Sequence, residues 1–224
     1  MEHASSYLKK FQCLNGFTLK MIAIITMLID HIGATFVPMQ ELRIIGRIAF
    51  PIFCFLIVEG YMHTSNLKKY FLRLLAFAFI SEIPFDMAFK RTYFDFGYQN
   101  VFFTLCLGLM ALYCIEKARE NRWYVLGILA ALCLADLFMV DYGSGGVLII
   151  CIFYILKEKP ILLTFALIMI FCFGYYGSIE MYALLALPFI GLYNHKRGPQ
   201  VKYLFYVFYP VHLLILGLLV KFMY

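Results

Sequence analysis

The chain has 224 residues, of which 64% are hydrophobic and only 14% charged, and its formal net charge is +6. A soluble domain is nearer half apolar and a quarter charged, so this composition argues against a water-soluble globular protein and for a polytopic membrane protein. Basic loops facing anionic lipid account for the positive charge, and nucleic acid is not required as a partner.

Residues 1–16 are polar, carry Lys9 and Lys10, and read as a short cytoplasmic segment before one transmembrane domain over 17–224. Nine apolar stretches follow, with cores at 17–36, 44–63, 70–89, 99–116, 123–141, 144–157, 160–178, 180–193 and 201–222. Several approach the roughly 20 residues that cross a bilayer. The expected fold is all-α, a polytopic transmembrane helix bundle of about nine spans, with eight to ten as the range. The sixth and eighth stretches are short, and a re-entrant or broken segment is expected at one or both of them. No small-residue cleavage site closes the first stretch, so it reads as a mature span. No internal repeat and no linker divides the chain.

The first span carries Lys20 and His31, with ten residues between them. Eleven helical steps return to within roughly 20° of the starting face and rise about 16 Å. A cation near one membrane surface and an imidazole deeper on the same face are expensive to keep in lipid, which points to function.

Cations set the orientation. The amino-terminal segment and the even-numbered connections hold Lys9, Lys10, Lys68, Lys69, Arg73, Lys117, Arg119, Arg122, Lys157, Lys159, Lys196, Arg197 and Lys202. The opposite side holds Arg43, Lys90, Arg91 and Lys221. Positive charge prefers the cytoplasm, so the expected protein is a multi-pass inner-membrane protein with its amino terminus inside and its carboxyl terminus outside.

On that topology, polar groups of several spans meet at one outer depth. They are Asp30 and His31 of the first, Arg47 of the second, Glu82 and Asp86 of the third, and Gln99 and Asn100 of the fourth. Asp136, Asp141 and Tyr142 close the fifth, and Glu180 opens the eighth. Acids at that depth are expected to pair with Arg47 or His31. Lys20, Glu59 and His63 lie toward the inner side. Phe50-Pro51 and Ile83-Pro84 are expected to interrupt the second and third spans, freeing backbone carbonyls. Asp141-Tyr142-Gly143-Ser144-Gly145-Gly146 reads as a flexible outer turn. The seven cysteines form no CxxC pair, six of them fall in apolar spans, and neither a disulfide framework nor a metal site is expected.

Seven ordered segments carry a family resemblance: Asp30-His31-Ile32-Gly33, Gly46-Arg47-Ile48-Ala49-Phe50-Pro51, Glu59-Gly60-Tyr61 with His63-Thr64, Ser81-Glu82-Ile83-Pro84-Phe85-Asp86, Asn100-Val101-Phe102-Phe103-Thr104, Asp141-Tyr142-Gly143, and Tyr206-Val207-Phe208-Tyr209-Pro210-Val211-His212. From about residue 17 to the end, the chain resembles the TraX family. That family is named for a conjugation protein that acetylates the amino terminus of pilin, and it is grouped with membrane acyltransferases that draw on cytoplasmic acyl-CoA. Lys20-x10-His31 also resembles the basic-x10-His signature of acyltransferase-3 enzymes, in which the histidine is regarded as catalytic. The resemblance implies transfer of an acyl group, acetyl above all, from acetyl-CoA to an extracytoplasmic protein or cell-surface acceptor.

The residues suit that chemistry. An amine or hydroxyl acceptor must lose a proton as it attacks a thioester, and histidine is the usual base. His31 is the first candidate and His212 the second. Asp30 points about 100° away from His31 on the helix, so Asp86 or Asp141 is the better candidate for orienting the ring. Arg47 is a candidate for the oxyanion or for an acceptor carboxylate. Lys20, with Lys68, Lys69 or Arg73, is the candidate donor-phosphate site. Glu59, His63, Glu82, Asn100 and Tyr142 are candidate substrate contacts. Buried acids, a histidine and broken helices also suit a proton-coupled transporter, the alternative reading, although the expected repeated halves are missing. A scaffold for a surface assembly, the third class, has little need of so many buried charges.

Overall fold

Apolar runs punctuated by Asn and Ser caps fold into helix after helix. The structure is a computed structural model describing residues 12–36, 38–199 and 201–223, without the side chain of Lys202. Lys9 and Lys10 lie outside the described residues. Helices run in the order α1 Gly16–Thr35, α2 Gln40–Gly46, α3 Ala49–His63, α4 Leu67–Phe89, α5 Val101–Lys117, α6 Tyr124–Leu137, α7 Gly143–Ile155 and α8 Pro160–Met169. A π-turn at Ile170–Gly174 and a 3-10 segment at Ile179–Ala186 precede α9 Leu187–Gly191 and α10 Lys202–Met223. Among the described residues there is no strand, only isolated bridges joining Leu14 to Tyr193 and Gln99 to Val140. The protein is all-α.

Among the described residues two helices, α1 and α10, are long and apolar enough to cross a membrane, and shorter apolar helices span Tyr124–Leu137, Gly143–Ile155, Pro160–Gly174 and Ile179–Gly191. Each of the nine apolar stretches of the sequence coincides with helical segments. The eighth is irregular, as its length suggested, because its first half is 3-10 helix.

One proline expectation is met and the other corrected. The second stretch breaks at Arg47 and Ile48, between α2 and α3, one turn before Pro51, whose ring leaves the Arg47 carbonyl without a helical donor. Pro51 itself lies in the first turn of α3, where its missing N–H would have no intrahelical partner. Pro84 lies inside α4, which continues to Phe89. Its ring removes one internal donor, and the rest of a 23-residue helix holds the axis together.

The chain divides into two compact units, Met1–Leu56 with Leu167–Phe205, and Ile57–Ala166 with Tyr206–Tyr224. In the first, Leu19, Ala23, Ile48, Ile52, Ala186 and Tyr193 form a buried core. Here the Asn15 side chain caps α1 at Thr18 N–H, while Gly16 and Phe17 donate to the carbonyls of Lys196 and Arg197. The first amides of α1 are thereby satisfied by protein. In the second unit, Ala111, Ala131, Ala135, Val140, Val147 and Cys151 pack α5, α6 and α7 together. Small residues on facing helices allow that close approach.

Candidate functional site

In the first unit the site begins with glycines. A Cβ on Gly33 would come 2.7 Å from Leu42 Cβ, and one on Gly46 would overlap the Asp30 side chain. Their absence lets α2 lie directly against the carboxyl-terminal half of α1. Arg47, the C-cap of α2, then extends its guanidinium to Asp30 Oδ2 and, at 2.7 Å, to Glu180 Oε1 on the 3-10 segment. Arg43, one turn earlier, pairs with Asp30 Oδ1 at 3.4 Å. Asp30 and Arg47 are buried, and the Glu180 side chain is 20% exposed. Two guanidiniums and two carboxylates balance in charge, which offsets the cost of removing them from water. This arrangement meets the expectation that acids pair with Arg47.

His31 follows Asp30 on α1, is half-buried, and its carbonyl accepts the Thr35 hydroxyl at 2.7 Å. Lys20 lies on the same unbroken helix. Its ammonium sits 5.3 Å from the Phe205 ring centroid, within electrostatic reach of Arg197. The Lys20-to-His31 register of the sequence is therefore realised in a single helix.

The second unit holds the other candidates. Asn100, fully buried, donates to the Ala78 carbonyl at 2.8 Å and to Glu82 Oε2, and its own carbonyl caps Phe102 N–H. Asp86, also fully buried, accepts the Asp95 N–H at 2.7 Å. Asp141 accepts the Tyr98 hydroxyl at 2.7 Å, while its backbone carbonyl takes the Thr104 hydroxyl and its N–H donates to Gln99. Glu82 Oε1, Asp86 Oδ1 and Ser81 Oγ are buried atoms without a hydrogen-bond partner among the described residues.

The turn after Asp141 differs from its expected flexibility. Asp136 Oδ1 accepts Ser144 N–H at 2.7 Å, Gly143 donates to Val140, and Tyr142 is left-handed at φ 63°. Side-chain caps fix this turn in spite of its glycines.

His212 is buried on α10, two residues after Pro210, and its Nδ1 lies 2.7 Å from the Phe208 carbonyl. A carbonyl only accepts, so Nδ1 carries the hydrogen and the neutral ring has its lone pair on Nε2. That tautomer can act as a base. Toward the other end of the unit, His63 is exposed, with Nδ1 2.9 Å from the Glu59 carbonyl. Lys68 and Lys69 are exposed at the start of α4, where Asn66 caps Lys69 N–H. Arg73 is half-buried one turn further on, 5.7 Å from the Tyr70 ring centroid.

The candidates thus fall into two sets. Lys20, Asp30, His31 and Arg47 belong to the first unit, and Glu59, His63, Lys68, Lys69, Arg73, Glu82, Asp86, Asn100, Asp141, Tyr142 and His212 to the second. Arg43, Tyr98 and Thr104 were not among the candidate site residues. For Arg43 the signal was present, two arginines one turn apart beside an apolar run, and Thr104 closes a segment that carries the family resemblance. For Tyr98 there was none, since an aromatic beside a span is ordinary. Among the described residues no cluster of His, Cys, Asp and Glu is arranged to hold a metal ion.

Comparison with known proteins covers nearly the whole chain. The profile of a family described as TraX protein matches residues 15–220. A probable fimbrial assembly protein FimC, serogroup H1, of Dichelobacter nodosus is 32% identical over 234 aligned residues, which cover 90% of this chain and 94% of that protein. An uncharacterized protein RP591 of Rickettsia prowazekii (strain Madrid E) is 30% identical over 146 residues, 63% of this chain and 55% of that protein. No solved structure gives a significant match.

Proposed function

The chain belongs to the TraX family, and from that premise we propose that it is an integral membrane acyltransferase. It moves an acyl group, acetyl in the first instance, from cytoplasmic acyl-CoA to an extracytoplasmic acceptor. The observation that carries the reading is a titratable imidazole, His31, adjoining a buried Asp30–Arg47–Glu180 network in a chain of this family. The fimbrial assembly name of the Dichelobacter relative supports a pilin-like subunit as the acceptor.

The proposed frame is a bundle of nine spans with the amino terminus in the cytoplasm. The nine helical stretches and the cation asymmetry of the connections support it. Within it, the acceptor gives its proton to a histidine Nε2 as its nitrogen or oxygen attacks the thioester carbonyl. The C–S bond then breaks, and the CoA thiolate leaves and is protonated. His31 is the first base and His212, with its lone pair on Nε2, the second. Arg47 is held from two sides by carboxylates, which fixes its direction and suits a positioning role next to His31. Lys20 supplies positive charge for the donor phosphates, with Lys68, Lys69 and Arg73 as further cations. Glu82, Asp86, Asn100, Asp141 and Tyr142 form the acceptor side.

The broken second stretch and the buried ion network also favour, more weakly, a proton-coupled transporter. Purified full chain incubated with labelled acetyl-CoA separates the two. Consumption of the thioester supports transfer. Neither binding nor consumption, with or without an acceptor peptide, supports transport instead.

A further inference from the structure

Within the second unit a half-buried guanidinium, that of Arg73, has no carboxylate at ion-pair distance among the described residues. Arg73 stands in the second turn of α4, beside the Tyr70 ring and within electrostatic reach of the Tyr206 hydroxyl. Its Nε is buried and makes no hydrogen bond, and among the described residues no carboxylate pairs with it. Tyr206 in turn stacks on Phe77 at 5.2 Å and on Phe102 at 6.4 Å, so the guanidinium lies against an aromatic wall. Gly60 of α3 packs against Tyr70, since a Cβ there would come 2.6 Å from the Tyr70 hydroxyl.

A partly desolvated cation without an anion is costly, and Arg47 shows the remedy this chain uses elsewhere, two carboxylates. A guanidinium Nε–H and its neighbouring Nη–H form a fork that fits two oxygens of one phosphate, and here the Nε arm is unfilled. The aromatic neighbours hold the fork rigid without neutralising it. Lys68 and Lys69, exposed one turn away at the start of α4, add positive charge along an approach to it.

We propose that Arg73, braced by Tyr70 and Tyr206, is a binding site for a phosphate group. Two sources carry that chemistry, a phosphate of the acyl donor and a phospholipid headgroup, and the donor arm rests on the acyltransferase reading above.

The test uses the full chain in dodecyl maltoside, which brings no phosphate of its own, with coenzyme A and dioctanoyl phosphatidic acid as separate probes. Arg73→Gln is expected to weaken at least one probe by about tenfold or more, the scale of a lost charge-assisted pair. Loss confined to coenzyme A assigns the donor, loss confined to phosphatidic acid assigns a lipid, and loss of both assigns a general phosphate site. Unchanged affinities, or a wild-type protein that binds neither probe, overturn the inference. If Arg73→Gln does not fold, Arg73→Lys decides, because it keeps the charge and removes the Nε–H; wild-type affinity there also overturns it. The two readings fail separately. Phosphate binding by a wild type that never consumes acetyl-CoA leaves Arg73 standing and removes the enzyme, whereas turnover with an Arg73→Gln of wild-type affinity does the reverse.

Discussion

Gly46 and Asp30 are in direct contact, with α2 so close to α1 that any side chain at position 46 would occupy the space of the Asp30 carboxyl. That contact sets where Arg47, the next residue, can reach. The glycine therefore acts on the ion network without carrying any polar group.

Gly46→Ala measures this contact. A helical alanine gains about 1 kcal/mol over glycine, whereas overpacking a tight contact costs about 1–3 kcal/mol. The overlap falls on a short side chain held by two arginines, so the cost prevails and thermal stability drops. A thiol-reactive dye reads this directly, since Cys54, Cys106 and Cys151 are buried and free. A Gly46→Ala protein as stable as wild type would mean that α2 moves away from α1 at little cost.

Removing Arg47 leaves two carboxylates facing each other in a buried place. Arg47→Gln should lose about 3–5 kcal/mol, the usual consequence of breaking a buried pair from one side. Adding Asp30→Asn to it should recover part of that loss, because the uncompensated charge is gone. The same unfolding assay checks both. Additive losses would show that Asp30 and Arg47 do not depend on each other.

Much of the fold was legible in the sequence, because apolar runs of helical length and their caps are local signals. The nine stretches and the shared helix of Lys20 and His31 needed nothing more. Breaks were harder. Pro51 and Pro84 looked alike as interruptions, yet only Pro51 follows a break, at Arg47 and Ile48 one turn before it, while Pro84 lies in a helix long enough to absorb it. That Arg47 would meet acids followed from depth and charge. Which acids did not, since Glu180 is 133 residues away and only packing brings it near. The caps that fix the turn after Asp141 were likewise hidden, because its glycines suggested freedom and the restraint comes from Asp136 and Thr104.

The proposed orientation makes a sign-definite forecast for reporter fusions. Fusions after Lys117 and after Lys159 should read cytoplasmic, and a fusion after Gly143 should read extracytoplasmic. A cytoplasmic signal at Gly143 would overturn both the span count and the outer-facing acceptor side.

Lys20→Ala tests the donor end of α1. If Lys20 meets a donor phosphate, the variant binds acetyl-CoA more weakly than wild type, with the gap widest at low salt where attraction is least screened. Equal affinities at low ionic strength would reduce Lys20 to a cation resting on the Phe205 ring.

The central claim is acyl transfer with a histidine as base, and the rate of labelled acetyl transfer in His31→Gln and His212→Gln measures it. Glutamine keeps the size and some hydrogen bonding of the ring but cannot take the proton, so each protein should fold. His31→Gln should lose about a hundredfold or more in rate. Loss confined to His212→Gln would move the base to α10, where the Phe208 carbonyl already fixes the tautomer. Near-wild-type rates in both variants would contradict histidine-base catalysis in this protein.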